Sequence, residues 1–391
     1  MHIVWINDHA DFTGGCEKYI YQTVKFLNQR GISSSLLYQV GAPINAQFTE
    51  LFHGVFPMVD IQLQLNELNP DLIYIHGISD LEKLENISKF PAPKARFFHD
   101  QKLFCLREHK YTALGHKTCH KKLGLACYAC LGFINKEPST NQIQFNSLRK
   151  KNKELAINKR LDQFIVGSQY MANQLIQHGF HEDKVTVATL FSYQNDHIIP
   201  VLDEERNNKV EPNQLLFVGQ LVRGKGLDTL LKALFESETN AHLVICGTGK
   251  MEQEYKSQVT TLGLNSQVRF LGQQNASQLE TLYKQSSAVV IPARAPETFC
   301  LVGLEALQYG TPVIATNVGG MNEWFKPNYN GLSFCANNHT KLREQIDNLL
   351  LNPKTQQTLR NNIENDCYKR FSPNYHLSVL QNLFGHMLEA S

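Results

Sequence analysis

Two glutamates, Glu297 and Glu305, bracket the apolar run of the segment PETFCLVGLE. A helix begun near residue 298 would carry Glu305 roughly 10 Å further along its axis. Two carboxylates so spaced would serve different parts of one extended ligand rather than act as an acid/base pair on a single bond. The bland alternative for Glu305 is a solvated helix residue, although its neighbours Leu304, Ala306 and Leu307 are apolar. Four glycine-rich turns add a second kind of chemistry: Gly14-Gly15, GQLVRGKG from Gly219 to Gly226, Gly247-Thr248-Gly249 and Gly319-Gly320. Glycine lets backbone N–H groups approach an anion, and a helix start adds a favourable dipole. Each turn alone reads as a tight bend. Together, with Arg223 and Lys225 supplying positive charge, they suggest a phosphorylated ligand.

A third set is cysteine. Cys105, Cys119, Cys127 and Cys130 follow the spacing C-x13-C-x7-C-x2-C. The C-x2-C pair is a chelating unit, and four thiolates suit structural zinc, with an iron–sulfur cluster, free thiols or a redox pair as alternatives. His109, His116 and His120 could each replace a thiolate. The other five cysteines, including Cys16 and Cys367, are isolated; Cys246 and Cys300 read as small apolar residues. Cys105, Cys119, Cys127 and Cys130 lie in a basic segment, Lys102 to Arg160, of net charge +10, against about −8 for the rest of the chain. Such a segment is either a solvated surface or a face for anionic lipid, phosphate or a polyanion. A nucleic-acid role is a rival that the basic patch supports, but it is not expected, because an aromatic RNA-type motif and a helix-turn-helix are both lacking.

The elements that must position these residues alternate strand and helix. His2 to Ile6, Ile32 to Tyr38, Asp71 to His76, Ala95 to His99 and Leu161 to Ser168 read as buried strands, with a helix over Glu17 to Arg30. A polar stretch, Asp203 to Asn213, precedes a restart of the pattern. Strands are then expected at Leu215 to Gly219, Ala241 to Cys246, Val268 to Leu271, Ala288 to Ile291 and Pro312 to Thr316. The 391 residues suit two α/β domains, each a doubly wound parallel sheet; one larger sheet with a long insertion is the alternative. The expected division is a first domain over 1–200 with the Cys-rich basic insertion at about 101–160, a second over 213–371, and a C-terminal helix over 372–391 packing across the junction or capping the second domain. No stretch reads as a membrane span or a signal peptide. A reducing compartment is therefore expected: cytoplasmic, with a peripheral position at the inner face of the cytoplasmic membrane as a further expectation.

At this point the motifs resemble those of the retaining GT-B glycosyltransferases of family 4. The resemblance rests on FVGQLVRGKG from Phe217, VICGTG from Val244, VRFLG from Val268 (with Leu271), ETFCLVGLE from Glu297 and GTPVIATNVGG from Gly310. It implies two Rossmann-like domains facing across a cleft, and transfer of a sugar from a nucleotide-sugar donor, UDP-linked or GDP-linked, to a hydroxyl of a glycan or lipid-linked acceptor. It further implies that Glu305 binds the donor ribose and Glu297 the donor sugar. N–H groups around Phe299, Cys300 and Leu301 would meet the diphosphate, and Lys225 would neutralise it with no catalytic metal. Gly14, Gly15 and Glu17 would form the acceptor-side glycine loop, and His99, of the pair His99-Asp100, would touch the donor sugar. Gln220 stands where the family usually has arginine, so Arg223 would have to reach the phosphates instead. Cys300 replaces a frequent glycine. By family habit the product belongs to cell-surface polysaccharide or lipopolysaccharide assembly. A non-catalytic nucleotide-sugar or glycan-binding protein is the rival reading that Gln220 favours.

Overall fold

The computed structural model describes residues 1–113, 115, 117–136, 143–192, 210–366 and 368–390. His116, Cys367 and the first part of the polar stretch from Asp203 lie outside them. The chain divides into two compact units. The first comprises 1–108, 121–193 and 371–391; the second comprises 109–120 and 194–370.

The first unit is built on seven parallel strands: β1 (His2–Asn7), β2 (Ser33–Tyr38), β3 (Gly54–Pro57), β4 (Leu72–Ile75), β5 (Lys94–Phe98), β6 (Gln163–Val166) and β7 (Val185–Val187). Their spatial order is β3-β2-β1-β4-β5-β6-β7. The strands are short and apolar because both faces are covered, and Ile3, Val4, Trp5 and Ile6 are all fully buried. One face packs on Tyr19, Ile20, Val24 and Leu27 of helix α1 (Gly15–Asn28); the other packs on Leu65, Leu84, Leu155 and Leu175. The basic segment adds a short antiparallel pair, Ile134–Lys136 with Ile143–Phe145.

In the second unit the strands are β8 (Gln214–Val218), β9 (His242–Cys246), β10 (Val268–Gly272), β11 (Ala288–Ile291), β12 (Val313–Thr316) and β13 (Gly331–Phe334). Their order, β10-β9-β8-β11-β12-β13, is that of a doubly wound sheet with its switch point between β8 and β11. Helix α2 (Leu227–Glu236) buries Leu227, Leu230, Leu231 and Leu234 against this sheet. Helix α3 (Leu301–Gln308) follows β11.

Two boundaries differ from expectation. The C-terminal helix α4 (Pro373–Glu389) belongs to the first unit, where Leu377, Leu380, Phe384 and Met387 enter the core beside α1. Its apolar residues announced a buried face, and only the tertiary contacts decide which core receives it. Conversely, 109–120, expected within the first domain's insertion, belongs to the second unit.

Candidate functional site

In the second unit the candidate residues stand at the carboxyl ends of β8, β11 and β12. Beyond β8 the chain forms a one-turn helix, Arg223–Lys225, closed by Gly226 in the left-handed region at φ 73°. A side chain on Gly226 would place its Cβ 1.9 Å from the carbonyl oxygen of Pro292. Glycine is required there so that the loop carrying Lys225 can lie on the loop leaving β11. Gly224 accepts hydrogen bonds from the backbone N–H of Arg294 (3.0 Å) and Ala295 (3.1 Å). The Arg294 guanidinium, itself buried, donates to Asp228 (2.7 Å) and Thr229 (3.0 Å) at the start of α2. Sequence reasoning passed over Arg294, because a lone arginine in a loop carries no signal of what it spans.

These contacts bring Lys225 and Glu297 together. The Lys225 ammonium donates to Glu297 Oε1 at 2.8 Å, with the carboxylate the more buried partner. Burial alone would depress the lysine, but the Glu297 carboxylate outweighs it and holds the ammonium above its ordinary value. Gly319, at φ 72°, packs where any Cβ would lie 2.2 Å from Glu297 O, and Gly320 N–H donates to that oxygen at 2.7 Å. The Gly319-Gly320 turn thus fixes the backbone of Glu297.

Helix α3 starts at Leu301, three residues later than expected. Cys300 precedes it in the left-handed conformation, at φ 66°. This bend separates Glu297 from the helix, so only Glu305 lies on it, roughly 6 Å along its axis from Leu301. Glu305 accepts a hydrogen bond from the Tyr283 hydroxyl at 2.7 Å. Burial and the adjacent carboxylate push that phenol well up, so it remains a donor. Gly303 is demanded by Trp324, whose ring would meet a Cβ at 1.9 Å, while the Trp324 indole N–H donates to Phe299 O at 2.8 Å. Burial, then Glu297, pushes the Cys300 thiol up to about 12, so it is no nucleophile.

The other turns have packing reasons of their own. A Cβ on Gly247 would lie 2.0 Å from Gly219 O, and one on Gly249 would lie 2.5 Å from Leu221 O. Gln220 is exposed. Arg223 reaches Glu254 at 3.5 Å, an exposed pair, rather than the Lys225–Glu297 pair. Leu271 lies within β10, and its carbonyl accepts from Gln274 at 2.7 Å. A hairpin closed by Thr112 N–H to Lys117 O (2.8 Å) and Cys119 N–H to Lys110 O (2.7 Å) also joins this domain. Its Thr118 hydroxyl donates to Arg294 O at 3.2 Å, and Tyr111 covers Gly224.

In the first unit Gly14 and Gly15 open α1 into space that a Cβ would leave largely unfilled. Glu17 is buried and accepts from Asn7 at 3.3 Å, while Asn7 Oδ1 accepts from Gly77 N–H at 3.0 Å. His99, beyond β5, contacts His76, beyond β4, with 2.7 Å between His76 Nδ1 and His99 Nε2. Burial, then the nearby Arg96 guanidinium, pushes the His99 imidazolium down to about 3. Both rings are therefore neutral near neutral pH, since burial and His99 push His76 well down as well.

The cysteine expectation fares differently. Among the described residues, the group of three or more potential ligands converging within 4.8 Å is Cys16, His76 and His99. Cys105, Cys119, Cys127 and Cys130 form no such group and no disulfide, and Cys119 belongs to the second unit while the others belong to the first. Their spacing gave chelating potential but no information about how the connecting chain runs. The basic segment does expose apolar residues, Leu125 at 82% and Phe145 at 77%, with Tyr128 and Leu131. No helix among the described residues is long and apolar enough to cross a membrane.

Two Rossmann-like domains of this topology define the GT-B fold. Residues 199–366 match the family model Glycosyl transferases group 1. An uncharacterized glycosyltransferase of Methanocaldococcus jannaschii is 35% identical over 176 residues, 44% of this chain and 43% of the relative. The chain spans only about half the length of the curated relatives it first matches, 43% and 56%. Among solved structures, Anabaena HepE in complex with UDP superposes with a TM-score of 0.72 at 18% identity, covering 98% of this chain and all of the other. WaaG, a glycosyltransferase involved in lipopolysaccharide biosynthesis, superposes with a TM-score of 0.65 at 15% identity, covering 99% of each chain.

The bend at Cys300 makes a direct prediction. Cys300→Val puts a β-branched residue at positive φ and should lose roughly 1–2 kcal/mol of stability, whereas Cys300→Gly should be tolerated. Urea denaturation of the three chains checks this, and an equally tolerated valine would contradict the left-handed bend.

Proposed function

We propose that this chain is a retaining glycosyltransferase that moves a sugar from a UDP-linked donor to a hydroxyl of a glycan or lipid-linked acceptor. The observation that carries the reading is the pairing of Lys225 with Glu297 next to α3, within the region matching the glycosyltransferase family. The ammonium is held by the carboxylate that the reading assigns to the donor sugar. On binding, the donor diphosphate takes up the Lys225 charge, and the N–H groups around Phe299, Cys300 and Leu301 face the same anion at the start of α3. Glu305, oriented by Tyr283, accepts from the ribose hydroxyls. As the sugar–phosphate bond breaks, negative charge grows on the leaving phosphate. A fixed cation and fixed dipoles stabilise that charge without reorganising, and the phosphate oxygen takes the proton of the attacking acceptor hydroxyl on the same face. The UDP and UDP-glucose complexes of Anabaena HepE support uracil as the base.

Gln220 favours a second reading, a protein that binds donor without turnover, because an amide cannot replace a guanidinium fork at a diphosphate. Arg223 answers part of this deficit. Its exposed pair with Glu254 contributes little and can be given up to a phosphate. A thermal-shift panel of UDP-, GDP- and ADP-sugars should show stabilisation by UDP-sugars, lost in Glu305→Ala. Retained binding in that variant would sink the Glu305 assignment. Donor binding with no sugar transfer, restored by Gln220→Arg, would establish the second reading.

The basic segment carries two further parts of the proposal. Exposed apolar residues amid lysines and arginines fit the surface of an anionic membrane. The chain should sediment with phosphatidylglycerol vesicles at low salt, and Leu125→Ser with Phe145→Ser should weaken this; no sedimentation at either low or high salt would remove the idea. Zinc on Cys105, Cys119, Cys127 and Cys130, with His109 or His120 able to replace a thiolate, would have to draw the cysteines together on binding. Metal analysis of the full chain purified without a His tag should then give one zinc per chain, and a metal-free chain would overturn it.

A further inference from the structure

The contact between His76 and His99 contains more information than its distance. The 2.7 Å separation joins Nδ1 of His76 to Nε2 of His99, and one of the two must donate. Neither ring is an imidazolium near neutral pH, so a single proton lies between them. Two arrangements remain. If His99 Nε2–H donates, His76 must carry its own proton on Nε2. That atom is buried without a hydrogen-bond partner. If His76 Nδ1–H donates, the same buried atom holds only a lone pair. A buried N–H left without a partner is rarer in folded proteins than an under-satisfied acceptor. The second arrangement is therefore the stable one. It leaves His99 with its proton on Nδ1. His99 is only partly buried, and among the described residues Nδ1 has no hydrogen-bond partner within the protein.

We propose that His76 is a positioning residue that fixes His99 as a hydrogen-bond donor, its proton on Nδ1, so that this imidazole reads an acceptor oxygen on the bound ligand. The surroundings hold both rings for the task. Trp5 lies against His76 at 5.1 Å with the rings 8° from parallel, and Phe97 lies against His99 at 4.3 Å and 23°. A histidine locked in this tautomer cannot accept a proton from a substrate hydroxyl through Nδ1. It donates to an oxygen that already bears lone pairs, such as a sugar hydroxyl. The polar His76, with an unpartnered nitrogen in an apolar core, is explained by this role better than by stability, since an apolar ring of similar shape would leave no orphaned atom. The sugar as the group read by His99 rests on the glycosyltransferase reading; the tautomer does not.

The test separates the two. Two-bond proton–nitrogen correlation spectra of the ligand-free full chain, labelled with 15N-histidine and assigned with His99→Gln, report the tautomer directly. The expected result is a protonated Nδ1 and a bare Nε2 at His99, shifting toward the Nε2–H form in His76→Phe. His76→Asn, whose amide N–H replaces Nδ1–H, should restore the first pattern. UDP-glucose affinity should fall on the order of tenfold in His76→Phe, recover in His76→Asn, and leave UDP affinity unchanged. A protonated Nε2 at His99 in the unsubstituted chain overturns the proposal. So does a His99 signal moved by a chelator, which would mean that Cys16, His76 and His99 hold a soft cation instead. Failure of UDP and UDP-glucose to bind, with the expected tautomer in place, would sink the glycosyltransferase reading alone.

Discussion

The second domain depends on backbone passing within contact distance of backbone. Gly226 lies over the carbonyl of Pro292, Gly247 over that of Gly219, and Gly319 over that of Glu297. In each case a single Cβ would overlap a carbonyl oxygen. The loops beyond β8, β9, β11 and β12 therefore interlock rather than merely lie side by side. This interlocking turns four flexible connections into one rigid platform, and a site assembled from several strand ends needs such rigidity. Without it, Lys225 and Glu297 would sit on independently moving loops. The glycines need no anion to explain them. They were chosen by packing, and the packing is what holds the charged pair in place.

That pair is a compromise. A lysine drawn partly out of water loses hydration, and one hydrogen bond to a carboxylate restores only part of it. The pair is thus well suited to exchange partners when a more strongly charged group arrives. A diphosphate offers more negative charge than one carboxylate, and on the proposed reading it would take up the Lys225 charge and leave Glu297 to a hydroxyl-bearing ligand. Arg294 contributes at a distance: it clamps the loop before Glu297 to α2, so the carboxylate approaches Lys225 from a fixed direction.

Much of this was legible in the chain. The alternation of apolar runs and helical stretches gave five strands of each sheet, because parallel strands buried on two faces leave an apolar pattern; the short edge strands β3, β7 and β13 were missed. The spacing of Glu297 and Glu305 reads as if one helix carried the whole run from residue 298, and it misses the bend at Cys300, since nothing in a cysteine announces positive φ. Tyr283, Arg294 and His76 were not identified as site residues because their partners lie far off in sequence: Tyr283 meets a carboxylate 22 residues on, and Arg294 meets Asp228, 66 residues back. The hairpin of 109–120 escaped for the same reason. Its residues follow the first domain's strands along the chain, yet Thr118 and Tyr111 complete a surface built from Gly224 and Arg294.

The first domain follows a different strategy, in which polar atoms rather than glycines settle the geometry. Trp5, Tyr19, Tyr74, His76, Phe97 and His99 form one aromatic cluster beneath the ends of β1, β4 and β5. The C-terminal helix adds to it through His376, whose Nε2 lies 2.8 Å from the Tyr19 hydroxyl and whose Nδ1 meets Thr189 O at 2.9 Å. Burial pushes the His376 imidazolium down to about 4, so the ring is neutral; a carbonyl accepts only, so Nδ1 carries the one proton, Nε2 accepts, and the Tyr19 hydroxyl must donate to it. That hydroxyl can then only accept from Tyr74, 3.0 Å away. One backbone carbonyl thereby sets the direction of three successive hydrogen bonds. An apolar helix would have filled the same volume, but it would have left Tyr19 and Tyr74 free to reverse. The helix brought from the far end of the chain therefore supplies direction as well as packing, next to the contact between His76 and His99.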